Sequence, residues 1–118
     1  MRFFLDTYAL VEIFKASKSY DKYADVESFT SILNLFEFYL YLLKNHDEET
    51  AKKNYYDLLS FVIDFSDEDL FEASKLKLQN NKLSMVDVIG YALALRNNLK
   101  FLTGDDQFKE MKNVEFAK

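Results

Sequence analysis

The stretch Leu83 to Phe108, LSMVDVIGYALALRNNLKFLTGDDQF, narrows most what this chain can fold into. An apolar helix carries a single carboxylate, Asp87, in its first turn. A short apolar run, Lys100 to Thr103, follows and ends in Gly104, Asp105 and Asp106. Helix, strand and then an acid pair is an α/β pattern, and in such proteins ligands bind at the turns leaving the carboxyl ends of strands. If acids from earlier in the chain reach the same edge, the place is a metal site and the protein an enzyme.

The rest of the chain supplies the partners for that pattern. Arg2 to Leu5 reads as a first, central strand ending in Asp6, and a helix leaves it directly over Thr7 to Ser17. Lys18 to Glu27 reads as a second short helix and Ser28 to Ser31 as a weak strand or loop. Ser31 then caps a helix over Ile32 to Lys44, apolar on nearly every face, with Asn34 and Glu37 its only strongly polar interior positions. Such a helix is central to a core or pressed against another subunit, and in a chain this small partner contact on one side is the better reading. After a polar turn, Glu48 to Ser60 forms an amphipathic helix and Phe61 to Phe65, FVIDF, a strand. Ser66 with Asp69 opens a helix ending near Leu78, and Gln79 to Lys82 is a loop. Beyond the opening stretch come a short helix from Asp105 or Asp106 to Lys112 and an edge strand over Val114 to Phe116. Strands separated by helices imply right-handed crossovers and a mostly parallel sheet covered on both faces. With no repeat or linker, residues 1–118 read as a single domain.

Composition restricts the chemistry. There is no cysteine and one histidine, so disulfides, thiolate sites and a His-based zinc site drop out, and any metal is held by oxygen, meaning Mg²⁺ or Mn²⁺. Absence of cysteine suits a reducing cytoplasm. No apolar stretch approaches the ~20 residues of a membrane span, and MRFFLDT lacks the features of a signal peptide. A net charge of −5 gives no support to nucleic-acid binding and would equally suit a basic protein partner. Lys15, Lys75, Arg96 and Lys109 are the candidates to rim the site. His46, near a helix end, reads as a cap or surface residue.

Each acid has a plain reading beside the functional one. Asp6 suits a helix N-cap. Ser84 with Asp87 resembles a capping box, and the helix dipole would keep Asp87 ionised. Asp105 and Asp106 suit turn acids, with Gly104 supplying unusual backbone angles. Glu37 is different, because a carboxylate inside so apolar a helix needs a partner. Taken together, the acids meet at one edge of a parallel sheet. Two carboxylates ~4 Å apart repel by about 4 kcal/mol at an effective dielectric near 20. A divalent cation accounts for all of them at once.

The stretches FFLDT, SILNLFEF, LSMVDVIGYALA and FLTGDDQF resemble, in order and spacing, the four acidic motifs of PIN-domain nucleases, most of all the VapC-type toxins of prokaryotic toxin–antitoxin pairs. The resemblance spans the whole chain. It implies a three-layer α/β/α fold and Mg²⁺- or Mn²⁺-dependent cleavage of RNA. By motif position it makes Asp6, Glu37, Asp87 and Asp105 the metal-ligating and catalytic acids, with Thr7 and Thr103 holding site carboxylates or waters and Asp106 on a variable position. It also implies a homodimer and a cognate antitoxin partner, whose Lys or Arg would meet the acidic pocket. The chain departs from the family at Tyr8, where a small polar residue such as Asn is frequent. The aromatic helix around Phe36, Phe38, Tyr39 and Tyr41 reads as core and interface before it reads as a base-stacking platform. Two rivals stand beside this: a PIN fold that has lost activity and only binds, and a phosphoacceptor receiver domain. The receiver would need an acid pair after the first strand and an acceptor Asp ending a middle strand; here there is a lone Asp6, and FVIDF ends in Phe65.

Overall fold

Four short strands pair side by side, all parallel. In the computed structural model, which describes residues 1–118, these are β1 (Arg2–Leu5), β2 (Glu27–Phe29), β3 (Lys100–Thr103) and β4 (Val114–Phe116), in the order β2-β1-β3-β4. The register sets Phe4 beside Phe101 and Leu5 beside Leu102. Strand β1 is therefore central, as its composition suggests, and β4 is an edge.

Side chains alternate across a strand, so each of the two inner strands feeds both faces. Phe4 and Phe101 point to one side, where their rings stack with centroids 5.7 Å apart. They pack there under α4 (Asp67–Gln79) and α5 (Met85–Arg96). Phe3, Leu5 and Leu102 point to the other side and pack against α1 (Thr7–Phe14), α2 (Ile32–Asn45) and α3 (Glu48–Leu58). The result is the three-layer α/β/α arrangement. Helix starts are capped as the sequence suggests by Asp6, Ser31, Ser66 and Ser84, the last two completing capping boxes with Asp69 and Asp87, and Asp47, in the polar turn, caps α3.

Several boundaries differ from expectation. FVIDF is not a strand: Leu59–Phe61 is a single 3₁₀ turn, and only Val62 forms a bridge, to Thr30. A Thr30 carbonyl bond to Ile63 N–H and a Phe61 carbonyl bond to Thr30 N–H exhaust the pairing, because helix α4 begins at once. Glu27 belongs to β2, not to the preceding helix, and Lys18–Tyr23 is 3₁₀. Helix α1 stops at Phe14, with Ala16 taking a left-handed φ of 55°. After β3 there is one 3₁₀ turn, Asp106–Phe108, where a helix to Lys112 was expected.

Asp69 is buried and accepts from the Arg96 guanidinium at 2.5 Å, which ties the start of α4 to the end of α5. Burial opposes its ionisation, but Arg96 and the Ser66 cap outweigh this and hold its carboxyl below the usual range. The outward side of α2 leaves Phe36, Leu40 and Leu43 exposed, in keeping with a helix apolar all round.

Gly90 marks where α5 touches the sheet. A Cβ there would lie 2.9 Å from the Phe4 ring, which is fully buried and has nowhere to go. Helix propensity favours Gly90→Ala by about 1 kcal/mol, whereas overpacking costs about 1–3 kcal/mol. Packing should win, so Gly90→Ala is expected to lower the denaturant midpoint. An unchanged or raised midpoint would show that α5 rides further from β1 than this.

Candidate metal centre at the carboxyl edge of the sheet

Strand order places the site. From β1 the chain crosses one way to β2, while β3 and β4 lie on the other side, so the crevice between the carboxyl ends of β1 and β3 is the switch point where open α/β sheets bind ligands. A cavity of about 540 Å³ opens there, lined by Asp6, Thr7, Tyr8, Glu37, Asp87, Gly104, Asp105, Asp106, Gln107 and Lys118. All four acids singled out in the sequence line it. They come from β1, α2, α5 and the turn after β3.

Asp6 sits deepest. Its backbone N–H continues the β1–β3 pairing by donating to the Leu102 carbonyl. One carboxylate oxygen caps α1 through Ala9 N–H at 2.9 Å, and the other accepts from the Thr103 hydroxyl across 97 residues of sequence. The same hydroxyl accepts from the Asp105 N–H at 3.0 Å, so Thr103 fixes the position of Asp6 relative to the turn that carries Asp105. Burial pushes the Asp6 carboxyl up to about 7; the Thr103 and Ala9 bonds pull against this, and the charges of Asp87 and Asp105 add to it.

Glu37 is reached through a relay. The Ser31 hydroxyl donates to the Asn34 side-chain oxygen at 2.7 Å, the Asn34 amide donates to the Thr7 hydroxyl at 3.1 Å, and Thr7 donates to Glu37 at 2.5 Å. Glu37 thus finds the partner an acid in that helix requires, and it is half-buried. Asn34 was visible in the sequence as a second polar residue on the same helix face. Its role in holding Thr7 was not, because that needs the packing of α1 on α2.

Asp87 completes the Ser84 capping box through the Ser84 N–H at 2.9 Å. Burial raises its pKa, the Ser84 bonds resist, and Asp105 adds to the rise. Asp105 caps the 3₁₀ turn through Gln107 N–H at 3.0 Å. Glu37, Asp87 and Asp105 each keep one oxygen that the protein does not engage. Asp106 lies on the rim, bound to the Lys118 ammonium at 2.5 Å.

Gly104 is needed for space, not for backbone angle, since its φ is not positive. A Cβ there would fall 2.2 Å from the Tyr8 ring and 2.5 Å from the Ala117 carbonyl. Tyr8, the departure from the family pattern, and Gly104 therefore go together. Of the candidate rim cations, Lys15 pairs with Glu12 and Lys75 with Glu72, while Arg96 serves Asp69. Only Lys109 stands near the site, over the Phe116 ring. His46 follows the last turn of α2 and packs edge-on to Phe14.

An all-oxygen donor set suits a hard divalent cation. As the side chains stand, no three acids close on one point. The donors fit Mg²⁺ or Mn²⁺ with water completing the shell, which Mg²⁺ retains readily.

A toxin–antitoxin complex from Klebsiella pneumoniae superposes with a TM-score of 0.78 at 20% identity, over 96% of this chain and 95% of that one. VapC20 of Mycobacterium tuberculosis, a sarcin–ricin-loop-cleaving toxin, gives 0.78 at 18% identity over 98% and 99%. VapBC2 of Rickettsia felis, bound to a DNA fragment from its promoter, gives 0.75 at 21% identity over the full length of both chains. No curated protein matches by sequence. The PIN-domain family profile matches residues 3–114, which removes the receiver-domain alternative: the chain belongs to the PIN-domain family.

Proposed function

We propose that this protein is a Mg²⁺- or Mn²⁺-dependent endoribonuclease, acting as a single domain and as the toxin of a cytoplasmic toxin–antitoxin pair. Membership of the PIN-domain family and a fold like that of VapC toxins support a nuclease toxin. The observation that carries the reading is that four acids from four distant stretches line one cavity at the β1–β3 switch point, each with a fixed carboxylate.

Asp6, Glu37, Asp87 and Asp105 would hold the ion. When bound, it supplies Lewis acidity toward the scissile phosphodiester and makes a water more acidic. The chain's own contribution is positional. Thr103 keeps Asp6 and the Asp105 turn in one frame, and Thr7 aims Glu37. Glu37 or Asp87 takes the proton of the attacking water; burial, which makes the Asp87 carboxylate more basic, suits it to that task. Apolar grooves between α4 and α5 (Leu70, Leu78, Met85) and between α2 and α3 (Phe36, Tyr39, Tyr56) supply surface for a second copy and an antitoxin. The complexes among the similar structures support such a partner.

Asp6→Asn, Asp87→Asn and Asp105→Asn are each expected to lower Mn²⁺-dependent RNA cleavage by about two to four orders of magnitude with the circular dichroism unchanged. Full cleavage by purified Asp6→Asn and Asp105→Asn would sink the nuclease assignment. Mn²⁺ binding with no cleavage by the native chain would leave a binding module in its place.

The raised Asp6 pKa has a sign that can be checked. From its ordinary 3.8 to about 7, the folded state keeps a proton that the unfolded state has lost. Metal-free protein should therefore lose stability as pH rises through this window, by on the order of a few kcal/mol. Asp6→Asn should flatten the slope, and Mn²⁺ should offset the loss above pH 7. Urea midpoints at pH 5 and pH 7.5 decide it; equal slopes for native and Asp6→Asn chains would refute the assignment.

A further inference from the structure

A cavity lined by Asp6, Glu37, Asp87, Asp105 and Asp106 repels a phosphodiester chain wherever the metal does not face it. One basic side chain lines that cavity, Lys118. It is delivered there by a strapped segment. The Ala117 N–H donates to the Thr103 carbonyl at 2.9 Å, extending the β3–β4 pairing past Phe116. The Ala117 carbonyl accepts from the hydroxyl of the buried Tyr20 at 2.6 Å. Gly104 leaves room for that carbonyl, as no other residue would. The residue before Lys118 is thus held from two sides, one of them the threonine that fixes Asp6.

The ammonium rests against Asp106, with about three-fifths of each side chain exposed. An exposed ion pair of this kind is weakly held, so a phosphate can take the lysine from Asp106 at little cost. The Asp106 side chain has no other hydrogen-bond partner and stands beside Asp105, which places the cation next to the metal-holding acids and not among them.

We propose that Lys118 binds an RNA phosphate neighbouring the scissile one, and that Asp106 is a positioning residue that parks Lys118 when no RNA is present. The proposal rests on the ribonuclease reading above. Its test uses the full chain, Mn²⁺ and a single-stranded RNA oligonucleotide, comparing native protein with Lys118→Gln and Lys118→Arg. Lys118→Gln is expected to raise KM about tenfold, with the loss falling on KM more than on kcat. The slope of log KM against log salt should fall by about 0.7, one phosphate contact fewer on a single strand. Lys118→Arg should restore both, and Mn²⁺ titration without RNA should be the same for all three. If native protein cleaves RNA and Lys118→Gln keeps its KM and salt slope, Lys118 is only a counter-ion to Asp106 and this inference falls alone. Lys118→Arg as impaired as Lys118→Gln overturns it too. If native protein neither binds nor cleaves RNA, the ribonuclease reading falls with it.

Discussion

The buried carboxylate of Asp6 is the constraint around which the rest is arranged. It sits where a central strand becomes a helix, and both its oxygens are committed within the protein. A carboxylate removed from water loses its charge unless such partners oppose burial, and here they oppose it in part. Here the partners are the Ala9 N–H in the first turn of α1 and the Thr103 hydroxyl on the neighbouring strand. The same bonds that make burial tolerable also fix the distance between β1 and the turn after β3. Fold and site are therefore one construction at this point: the cap that starts α1 and the acid that faces the cavity are a single side chain.

The other acids follow the same economy of parts. Asp87 starts α5 and Asp105 starts the turn after β3, each lending one oxygen to the backbone and presenting the other. Capping and ligation are often weighed as competing explanations for a carboxylate at a helix start. In the proposed site they would be complementary, because capping immobilises a side chain that would otherwise sample several rotamers. Glu37, in mid-helix, has no such help from its own backbone and is held instead by a relay from Ser31 through Asn34 and Thr7.

Much of this was legible in the residues. The central strand, the helix starts at Ser31, Ser66 and Ser84, and the alternation of helices with apolar runs all follow from local periodicity and capping chemistry. What escaped was set by tertiary context. FVIDF has the composition of a strand, but with α4 beginning at Asp67 it has length for a single bridge to Thr30. Gly104 looked like a turn glycine, and its reason is the Tyr8 ring and the Ala117 carbonyl, neither of which its neighbours in sequence reveal. Burial of Asp87, which raises its pKa, was not visible from its place at a helix start. Lys118 could not be placed at all without knowing that β4 pairs parallel to β3. Residues gathered by long-range pairing leave no periodic trace.

That long-range pairing has a consequence in time. The two inner strands join residues near one end of the chain to residues near the other, Phe3 with Lys100 and Leu5 with Leu102. Contacts so distant in sequence form late, because the intervening chain must first be ordered. During synthesis the first strand waits, one apolar edge unpaired, until the chain has grown through Lys100–Thr103. The cavity has no floor before then, for Thr103, which fixes Asp6, lies 97 residues further along the chain. A nascent chain of this protein therefore cannot assemble the four-acid cavity until β3 and the turn after it have been made, and the order of its strands sets that moment.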